Sequence, residues 1–182
     1  HINVEDRRAE AVPGVVRDEL NHHLKEQGLF FGPNTSTSNR CMMGGMVGNN
    51  SSGSTSISYG TTREKLLGLE LVTADGVLRA MGDIQSDGMR EIPSAVEDWM
   101  TLWSEAWSTQ NLESHFPDAS IRRRNTGYAI DLIGNDADAL LQVMCGSEGT
   151  LGITTKIRVA LDLLPPAHVA VAALHYHSMD EA

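Results

Sequence analysis

The chain has 182 residues, of which 41% are hydrophobic, so it can bury a core of ordinary size and one domain is expected. The formal net charge of -10 argues against nucleic acid or an anionic membrane surface as a partner. The two cysteines, Cys41 and Cys145, are too few for a disulfide framework or an iron–sulfur cluster within this chain, and they indicate a reducing, cytoplasmic location.

The first elements predicted are a strand and a helix. Residues 1–11 alternate roughly between polar and apolar side chains, and Pro13-Gly14 then stops the strand. Apolar residues recur at helical spacing through residues 16–27, and Gly28 follows where a C-cap would sit. His22 and His23 project about 100° apart on such a helix, so we expect exposed side chains rather than a shared metal.

The next stretch, residues 31–60, reads FGPNTSTSNRCMMGGMVGNNSSGSTSISYG and is nearly free of charge. Two interpretations are open. Small polar residues are typical of a flexible linker, because they bury too little apolar surface to stay ordered. Interspersed apolar residues and the paired Gly44-Gly45 instead indicate an ordered loop whose backbone approaches a ligand closely.

Two elements follow this stretch. Asp75-Gly76 lies between β-rich runs at residues 65–73 and 77–81, which predicts a hairpin with a structural role. Beyond it, Trp99, Trp103 and Trp107 recur every fourth residue and predict one face of a helix. Such an aromatic stripe is either a cofactor platform or part of a core or inter-domain contact, and we favour the core.

The last third begins with an arginine run at residues 122–124. It is either a solvated face or a carboxylate site, because arginine offers a fixed fork of donors. A short helix is predicted over residues 135–143, and strands over 153–164 and 169–177. His175 and His177 would share a strand face, which permits metal binding, but nothing else completes a metal site, so we predict none.

Two glycine-rich segments carry a family resemblance. The first segment has a proline turn, a Gly-Gly element, an Asn-containing element and a closing Tyr-Gly, at Phe31-Gly32-Pro33, Cys41-Met42-Met43-Gly44-Gly45, Asn49-Asn50-Ser51-Ser52-Gly53 and Tyr59-Gly60. The second, residues 146–153, reads GSEGTLGI. Together they resemble the FAD-linked oxidases of the vanillyl-alcohol oxidase / p-cresol methylhydroxylase type. The branch they resemble most holds D-lactate, glycolate and D-2-hydroxyglutarate dehydrogenases.

The resemblance implies a fold and a domain layout. The fold class is α+β, a mixed β-sheet flanked by helices, which forms the second lobe of a p-cresol methylhydroxylase-type FAD-binding domain. Residues 1–166 would be part of that domain, with a helical excursion at about 83–120, and residues 167–182 would begin a truncated substrate domain. We expect the chain to be a fragment, because it begins without Met and lacks the family's pyrophosphate loop, so by itself it should bind FAD weakly and show no turnover.

The resemblance also implies the site residues. The predicted FAD contacts are Pro33, Thr35, Cys41, Gly44, Gly45, Asn50, Gly53, Tyr59, Gly149, Gly152 and Ile153. Arg123 and Arg124 are predicted to bind the substrate carboxylate, and no catalytic acid or base is predicted in the chain. The family commonly has Ala, Ser or Thr in place of Cys41, so a hydroxyl contact is not expected there.

The implied activity is oxidation of a D-2-hydroxy acid to a 2-oxo acid by an FAD-dependent dehydrogenase. The implied partners are the small hydroxy acid, an electron acceptor other than O2 and the remaining parts of the same protein, while peripheral membrane association is left open. Two alternatives are an FAD oxidase of an alcohol or sugar on the same fold and a flavin-free interaction module that kept the scaffold.

Overall fold

The computed structural model of the chain describes residues 1–84, 94–110, 112–118, 120–121, 127–133, 138–168 and 170–181. The described strands are β1 (Ile2–Asn3), β2 (Arg8–Ala11), β3 (Leu29–Phe30), β4 (Leu66–Val72), β5 (Leu78–Gly82), β6 (Ile153–Ala160) and β7 (Asp162–Leu163). The described α-helices are α1 (Arg17–Lys25), α2 (Met43–Asn49), α3 (Ser56–Tyr59), α4 (Thr62–Lys65), α5 (Ser94–Thr109) and α6 (Ala139–Met144), with 3-10 turns at Leu112–His115 and Ile130–Leu132.

A five-stranded sheet in the order β1-β2-β6-β4-β5 forms the centre of the fold, and β3 and β7 form a separate pair. The α+β class is confirmed. The pairing is more uniform than in the predicted mixed sheet, because every pair of described strands runs antiparallel. β6 pairs with both β2 and β4, so a strand near the end of the chain lies between two strands from its first half.

The core lies between one face of the five-stranded sheet and the helices α1, α2 and α6. Its buried apolar side chains are Ala9, Leu20, Leu24, Leu29, Phe31, Met43, Met46, Val47, Leu66, Leu69, Leu71, Met81, Leu141, Met144, Cys145, Ile157, Val159 and Leu161. Burial of this set supplies the main driving force for folding. Because α2 and α6 share this face of the sheet, the segments that flank them are brought to one end of the core.

The other face of the sheet carries paired charges. Arg158 donates to Glu10 at 2.8 Å, and both Arg8 and Arg158 contact Asp83. Glu70 on β4 is buried and accepts a hydrogen bond from Thr155 at 2.8 Å. On β4 the buried Glu70 carboxylate is thus compensated by Thr155 and by Lys156 Nζ at 3.7 Å, as a buried charge requires.

The local predictions hold where the local signals are strong. The helix predicted over residues 16–27 is α1, and Gly28 follows it with φ 73°. The hairpin at Asp75-Gly76 joins β4 to β5, with Gly76 at φ 74°. The tryptophan stripe lies on α5, as its spacing predicts.

The first eleven residues form a hairpin instead of the single predicted strand. β1 pairs with β2, and the turn between them is closed by Asp6 N donating to Asn3 Oδ1 at 3.0 Å. Arg7 takes the left-handed conformation at φ 51° in this turn. Alternation predicts extended backbone but cannot locate a turn that depends on one side chain reaching the backbone three residues away.

The strand predicted over residues 169–177 is wrong for the described part of that range. Residues 170–176 form no regular element, and Val171 and Leu174 are exposed. An isolated strand leaves its backbone hydrogen-bonding groups unpaired, so it needs a neighbouring strand, and no described strand pairs with this segment. The assignment of residues 167–182 to a second domain stays a prediction.

Candidate functional site

The two glycine-rich segments are joined by main-chain hydrogen bonds although about 100 residues separate them. Gly146 N donates to Val47 O at 2.9 Å, and Glu148 N donates to Gly48 O at 2.8 Å. The Asn49 side chain adds a bond from Nδ2 to Glu148 Oε1 at 2.7 Å. The C-terminal half of α2 and the loop at residues 146–152 therefore form one continuous surface.

A cleft of about 440 Å³ opens beside this junction. Its lining residues come from the turn before α1, from α2, from the loop after α6 and from the sheet: Pro13, Gly14, Met42, Gly44, Gly45, Val47, Gly48, Leu69, Met144, Ser147, Gly149, Gly152, Ile153 and Thr154. Its volume lies within the range of small-molecule sites, which is roughly 300–1,000 Å³. Five predicted FAD contacts line this single cleft: Gly44, Gly45, Gly149, Gly152 and Ile153.

Gly45 and Gly149 leave the cleft open. A Cβ atom added to either residue would meet no atom within 4 Å. Gly149 also has φ 75°, a conformation that glycine adopts without steric cost. At Gly45 neither packing nor a positive φ requires glycine, so the absence of a side chain preserves open space at the wall of the cleft, whereas at Gly149 the left-handed backbone already favours glycine.

Gly44 and Gly152 line the same cleft but have a packing role. A Cβ on Gly44 would lie 2.6 Å from Pro13 Cβ, and one on Gly152 would lie 2.4 Å from Leu71 Cδ1. Gly44 N is already used, since it donates to Pro13 O at 2.9 Å. These glycines let α2 and the second segment approach their neighbours closely, and their contribution to a ligand is indirect.

Three other predicted contacts, Pro33, Thr35 and Cys41, do not line the cleft. Pro33 O accepts a hydrogen bond from Arg17 Nε at 3.1 Å. The Thr35 hydroxyl lies 3.3 Å from Cys41 Sγ, and that thiol also lies 3.7 Å from Ser38 O. These polar groups bind one another and so order the loop that precedes α2.

Asn50, Gly53 and Tyr59 also lie away from the cleft. Asn50 is buried at φ 46°, and its Oδ1 accepts from Arg63 N at 2.9 Å, so its side chain points into the protein. A Cβ on Gly53 would lie 2.4 Å from Asn34 O. Tyr59 packs edge-on against Phe30 at 4.9 Å between ring centroids. The role of these six residues in FAD binding stays a prediction, and Arg123 and Arg124 lie outside the described residues.

The prediction missed part of the lining, including Gly14, Met42, Val47 and Ser147. Met42 and Ser147 lie within the two motifs, Val47 lies between two elements of the first, and Gly14 lies in the predicted Pro13-Gly14 turn. The motifs and the turn thus indicate the region of the cleft but not which side chains face it. The sequence does not indicate that Leu69 and Met144 line a cleft, because an apolar residue in a strand or helix is expected to belong to the core. Both are buried core residues whose surfaces also form the floor of the cleft.

The electrostatic character of the cleft limits which part of a ligand it can hold. Among the described residues that line it, none has a charged side chain, and Ser147 and Thr154 supply hydroxyl groups. An uncharged flat ring can enter such a cleft without burying a charge, whereas a pyrophosphate would lack a compensating cation. The lining therefore fits the ring system of FAD better than its pyrophosphate.

Cys145 and Arg63 lie together under the second segment. Burial raises the pKa of the Cys145 thiol to about 12, and the neighbouring Arg63 opposes that rise. Burial likewise lowers the pKa of the Arg63 guanidinium, against the effect of Cys145, Asp131 and Glu64. Cys145 is thus a neutral thiol at physiological pH and no nucleophile.

A second cavity of about 560 Å³ lies on the other side of Met144, between the β4–β5 hairpin, α5 and α6. Trp99 lines it and stacks on Trp103 at 6.2 Å between ring centroids. Trp103 donates through Nε1 to Ile130 O at 2.7 Å, and Trp107 packs against Phe116. Of the three tryptophans only Trp99 lines this cavity, it is 45% exposed, and none of the three belongs to the buried core, so the core prediction is wrong for this stripe. The stripe does not line the glycine cleft either.

Two further observations concern metals and membranes. Within the part of the chain that the structure describes, no three His, Cys, Asp or Glu side chains are placed to hold a metal ion. Of the helices it describes, none is both long enough and apolar enough to cross a bilayer.

A comparison of the sequence with known protein families gives a match to a flavin-binding family over the part of the chain that contains α2. Residues 1–82 match the family model described as FAD binding domain. The match covers 82 of the 182 residues, and this part of the chain is similar to FAD-binding domains. The matched range includes α2 and the whole of the first glycine-rich segment, and the second segment completes the cleft from outside that range.

Sequence relatives of the chain confirm the resemblance to the predicted branch. The chain is 34% identical over 189 residues to D-2-hydroxyglutarate dehydrogenase of Pseudomonas putida and 30% identical over 189 residues to that of Escherichia coli. It is 28% identical over 182 residues to glycolate oxidase subunit GlcD of Bacillus subtilis. Each match covers 100% of this chain but only 18%, 18% and 28% of the respective relative. The chain thus spans 18% to 28% of the length of these proteins.

A solved structure also matches the fold of this chain. A structure of alkyldihydroxyacetonephosphate synthase superimposes with a TM-score of 0.55 at 18% identity, covering 92% of this chain and 21% of that one. At this identity the similarity concerns the fold alone. Because it covers 92% of this chain, the similarity extends well beyond residue 82.

Proposed function

We propose that this chain forms one wall of the FAD site in a dehydrogenase that oxidises a D-2-hydroxy acid to a 2-oxo acid. The observation that supports it most directly is the cleft shared by Gly45 and Gly149. Two segments about 100 residues apart meet there through main-chain hydrogen bonds, and both glycines face open space. At Gly45 neither packing nor a positive φ requires glycine, which favours a ligand cleft over an interaction module without flavin.

The substrate class is inferred from the relatives. Their names refer to D-2-hydroxyglutarate, glycolate and D-lactate, which share a hydroxyl group on the carbon next to a carboxylate. For this chain we infer the shared chemistry rather than one of the three acids. Arg123 and Arg124 are the proposed carboxylate ligands, since a guanidinium can donate two parallel hydrogen bonds to a carboxylate.

The chain's own part in the reaction is placement. When bound, FAD would supply the chemistry by taking up the hydride that leaves the hydroxyl-bearing carbon of the substrate. Gly45, Gly149 and Ile153 would lie against the ring, and Leu69 and Met144 would keep water from the floor of the cleft. Ser147 and Thr154 are the described lining residues of the cleft that carry a hydroxyl group.

Substitution of Gly45 tests the proposal. Gly45→Ala and Gly45→Val place one and three carbon atoms into the cleft, so the Kd for FAD should rise by about tenfold or more for Ala and further for Val. The Ala variant should keep its stability, because alanine favours a helix over glycine by roughly 1 kcal/mol. The measurement is a flavin titration of the full-length polypeptide that carries this chain.

The matched control is Ala80→Val, which adds carbon atoms on β5, away from the cleft, and should leave the Kd unchanged. Equal FAD affinity in Gly45→Val and the unsubstituted protein would favour the interaction module.

The substrate class is tested on the same preparation by adding D-lactate, glycolate or D-2-hydroxyglutarate in the absence of oxygen and following the flavin absorbance, which should fall as the acid reduces the flavin. Loss of flavin absorbance with a primary alcohol or sugar, and with none of these acids, would favour the oxidase.

A further inference from the structure

The second glycine-rich segment is held in place by a residue outside both segments. Arg63 on α4 donates through Nη2 to Cys145 O at 2.5 Å and through Nε to Gln142 O at 3.1 Å. Both acceptors are carbonyl groups at the C-terminal end of α6, where the helix offers no donors of its own. One guanidinium thus caps α6 and fixes the point from which the loop at residues 146–152 departs.

The same residue is anchored to the first segment through its backbone. Arg63 N donates to Asn50 Oδ1 at 2.9 Å. Its neighbour Thr62 donates to Ser51 O from both the backbone nitrogen, at 3.1 Å, and the hydroxyl, at 2.7 Å. The helix α4 therefore bonds the first segment through Arg63 N and both donors of Thr62. Through the Arg63 side chain it bonds the end of α6, from which the second segment departs.

Two local features hold α4 and Arg63 in this position. Thr61 and Glu64 form a capping box, in which Thr61 N donates to Glu64 Oε2 at 2.5 Å. Gly146, at φ 100°, leaves room for the guanidinium, since an added Cβ would lie 2.7 Å from Arg63 Nη2. Arg63 itself is buried, with 9% of its surface exposed. A buried guanidinium that bonds two carbonyls is costly to replace by an apolar side chain.

We propose that Arg63 is a positioning residue for the FAD site: it sets the distance between the two glycine-rich segments without lining the cleft. The consequence for FAD rests on the proposed function, whereas the consequence for the loop does not. If Arg63 is removed, the capped end of α6 loses its partner, the bonds from Gly146 N and Glu148 N to α2 open more often, and Gly149 moves relative to Gly45.

The first test follows the loop directly by amide hydrogen exchange in the 182-residue chain. In Arg63→Met, exchange at Gly146 and Glu148 should rise by at least about tenfold, the size expected for losing a hydrogen bond from a charged donor. Arg63→Lys keeps the charge and can reach one of the two carbonyls, so it should restore part of the protection. This second variant also covers the case in which Arg63→Met folds poorly.

The matched control is Arg79→Met. Arg79 is buried to a similar degree, at 7% exposed, but it bonds within the β4–β5 hairpin. Its loss should raise exchange in the hairpin and leave Gly146 and Glu148 protected. A role of Arg63 in general stability alone would raise exchange in the hairpin and the loop alike, and that result would overturn the proposal, as would unchanged exchange in Arg63→Met.

The second test is FAD affinity in the full-length polypeptide. Arg63→Met should raise the Kd for FAD by about tenfold or more. Arg63→Lys should raise this Kd by a smaller factor, and Arg79→Met should leave it unchanged. If the unsubstituted protein binds no FAD, the proposed function fails while the exchange measurement still decides the role of Arg63 in the loop. If FAD binds equally to all three variants although the loop has loosened, Arg63 does not position the FAD site.

Discussion

Cys145 has no exposed surface, and its burial changes its chemistry. Burial raises its pKa from 9.0 to about 12, whereas Cys41 is partly exposed in the loop before α2. Because the thiolate is the reactive form, iodoacetamide should modify Cys41 in the folded chain and Cys145 only after unfolding. Peptide mass spectrometry checks this order, and equal labelling of both thiols under native conditions would contradict it.

The raised pKa of Cys145 also links stability to pH. The folded state holds the proton more tightly than the unfolded state, so the stabilisation is complete below about pH 9 and is lost as the pH rises towards 12. The free energy of unfolding should therefore fall less steeply over this range in Cys145→Ala. Chemical denaturation at several pH values compares the two slopes.

The β4–β5 hairpin is closed by side chains as well as by its Asp-Gly turn. Thr73 Oγ1 donates to Asp75 Oδ1 at 2.5 Å, and Arg79 Nη2 donates to Asp75 Oδ2 at 2.7 Å. These two hydrogen bonds, Thr73 first, lower the pKa of Asp75 from 3.8 to about 2. The hairpin is stabilised above about pH 4, and this contribution is lost as the pH falls through 2.

Removing the Thr73 hydroxyl tests this account of the hairpin. In Thr73→Ala the pKa of Asp75 should rise towards 3.8, because its main hydrogen bond is gone. A carboxyl carbon NMR titration follows Asp75 directly. Thr109→Ala is the control, since that hydroxyl bonds a carbonyl of its own helix and should not affect the titration of Asp75. An unchanged pKa in Thr73→Ala would assign the shift to Arg79.

At the scale of the whole molecule, the cleft is incomplete as a site for all of FAD. Its described lining has no charged side chain, so it offers nothing to neutralise the pyrophosphate. We therefore expect the isolated 182-residue chain to bind FAD weakly and to show no turnover. A preparation purified without added flavin should lack the visible flavin absorbance, and a stoichiometric flavin band would refute this expectation.

Residues near one another in sequence determined the elements that could be predicted. The Asp75-Gly76 hairpin, the helix α1 with its Gly28 cap and the tryptophan face of α5 each depend on contacts within a few residues. Their turn, cap and periodicity are local properties of the backbone and side chains. The two glycine-rich segments were recognisable for a similar reason, since each keeps its motif within one short stretch.

Only the tertiary structure decided what each glycine-rich residue does. Gly45 and Gly44 are adjacent, yet one faces open space and the other packs on Pro13. Asn50 belongs to the same motif but points inward to Arg63. Orientation depends on how α2 packs against the sheet and on a loop about 100 residues away, and no pattern within one segment encodes a partner at that distance.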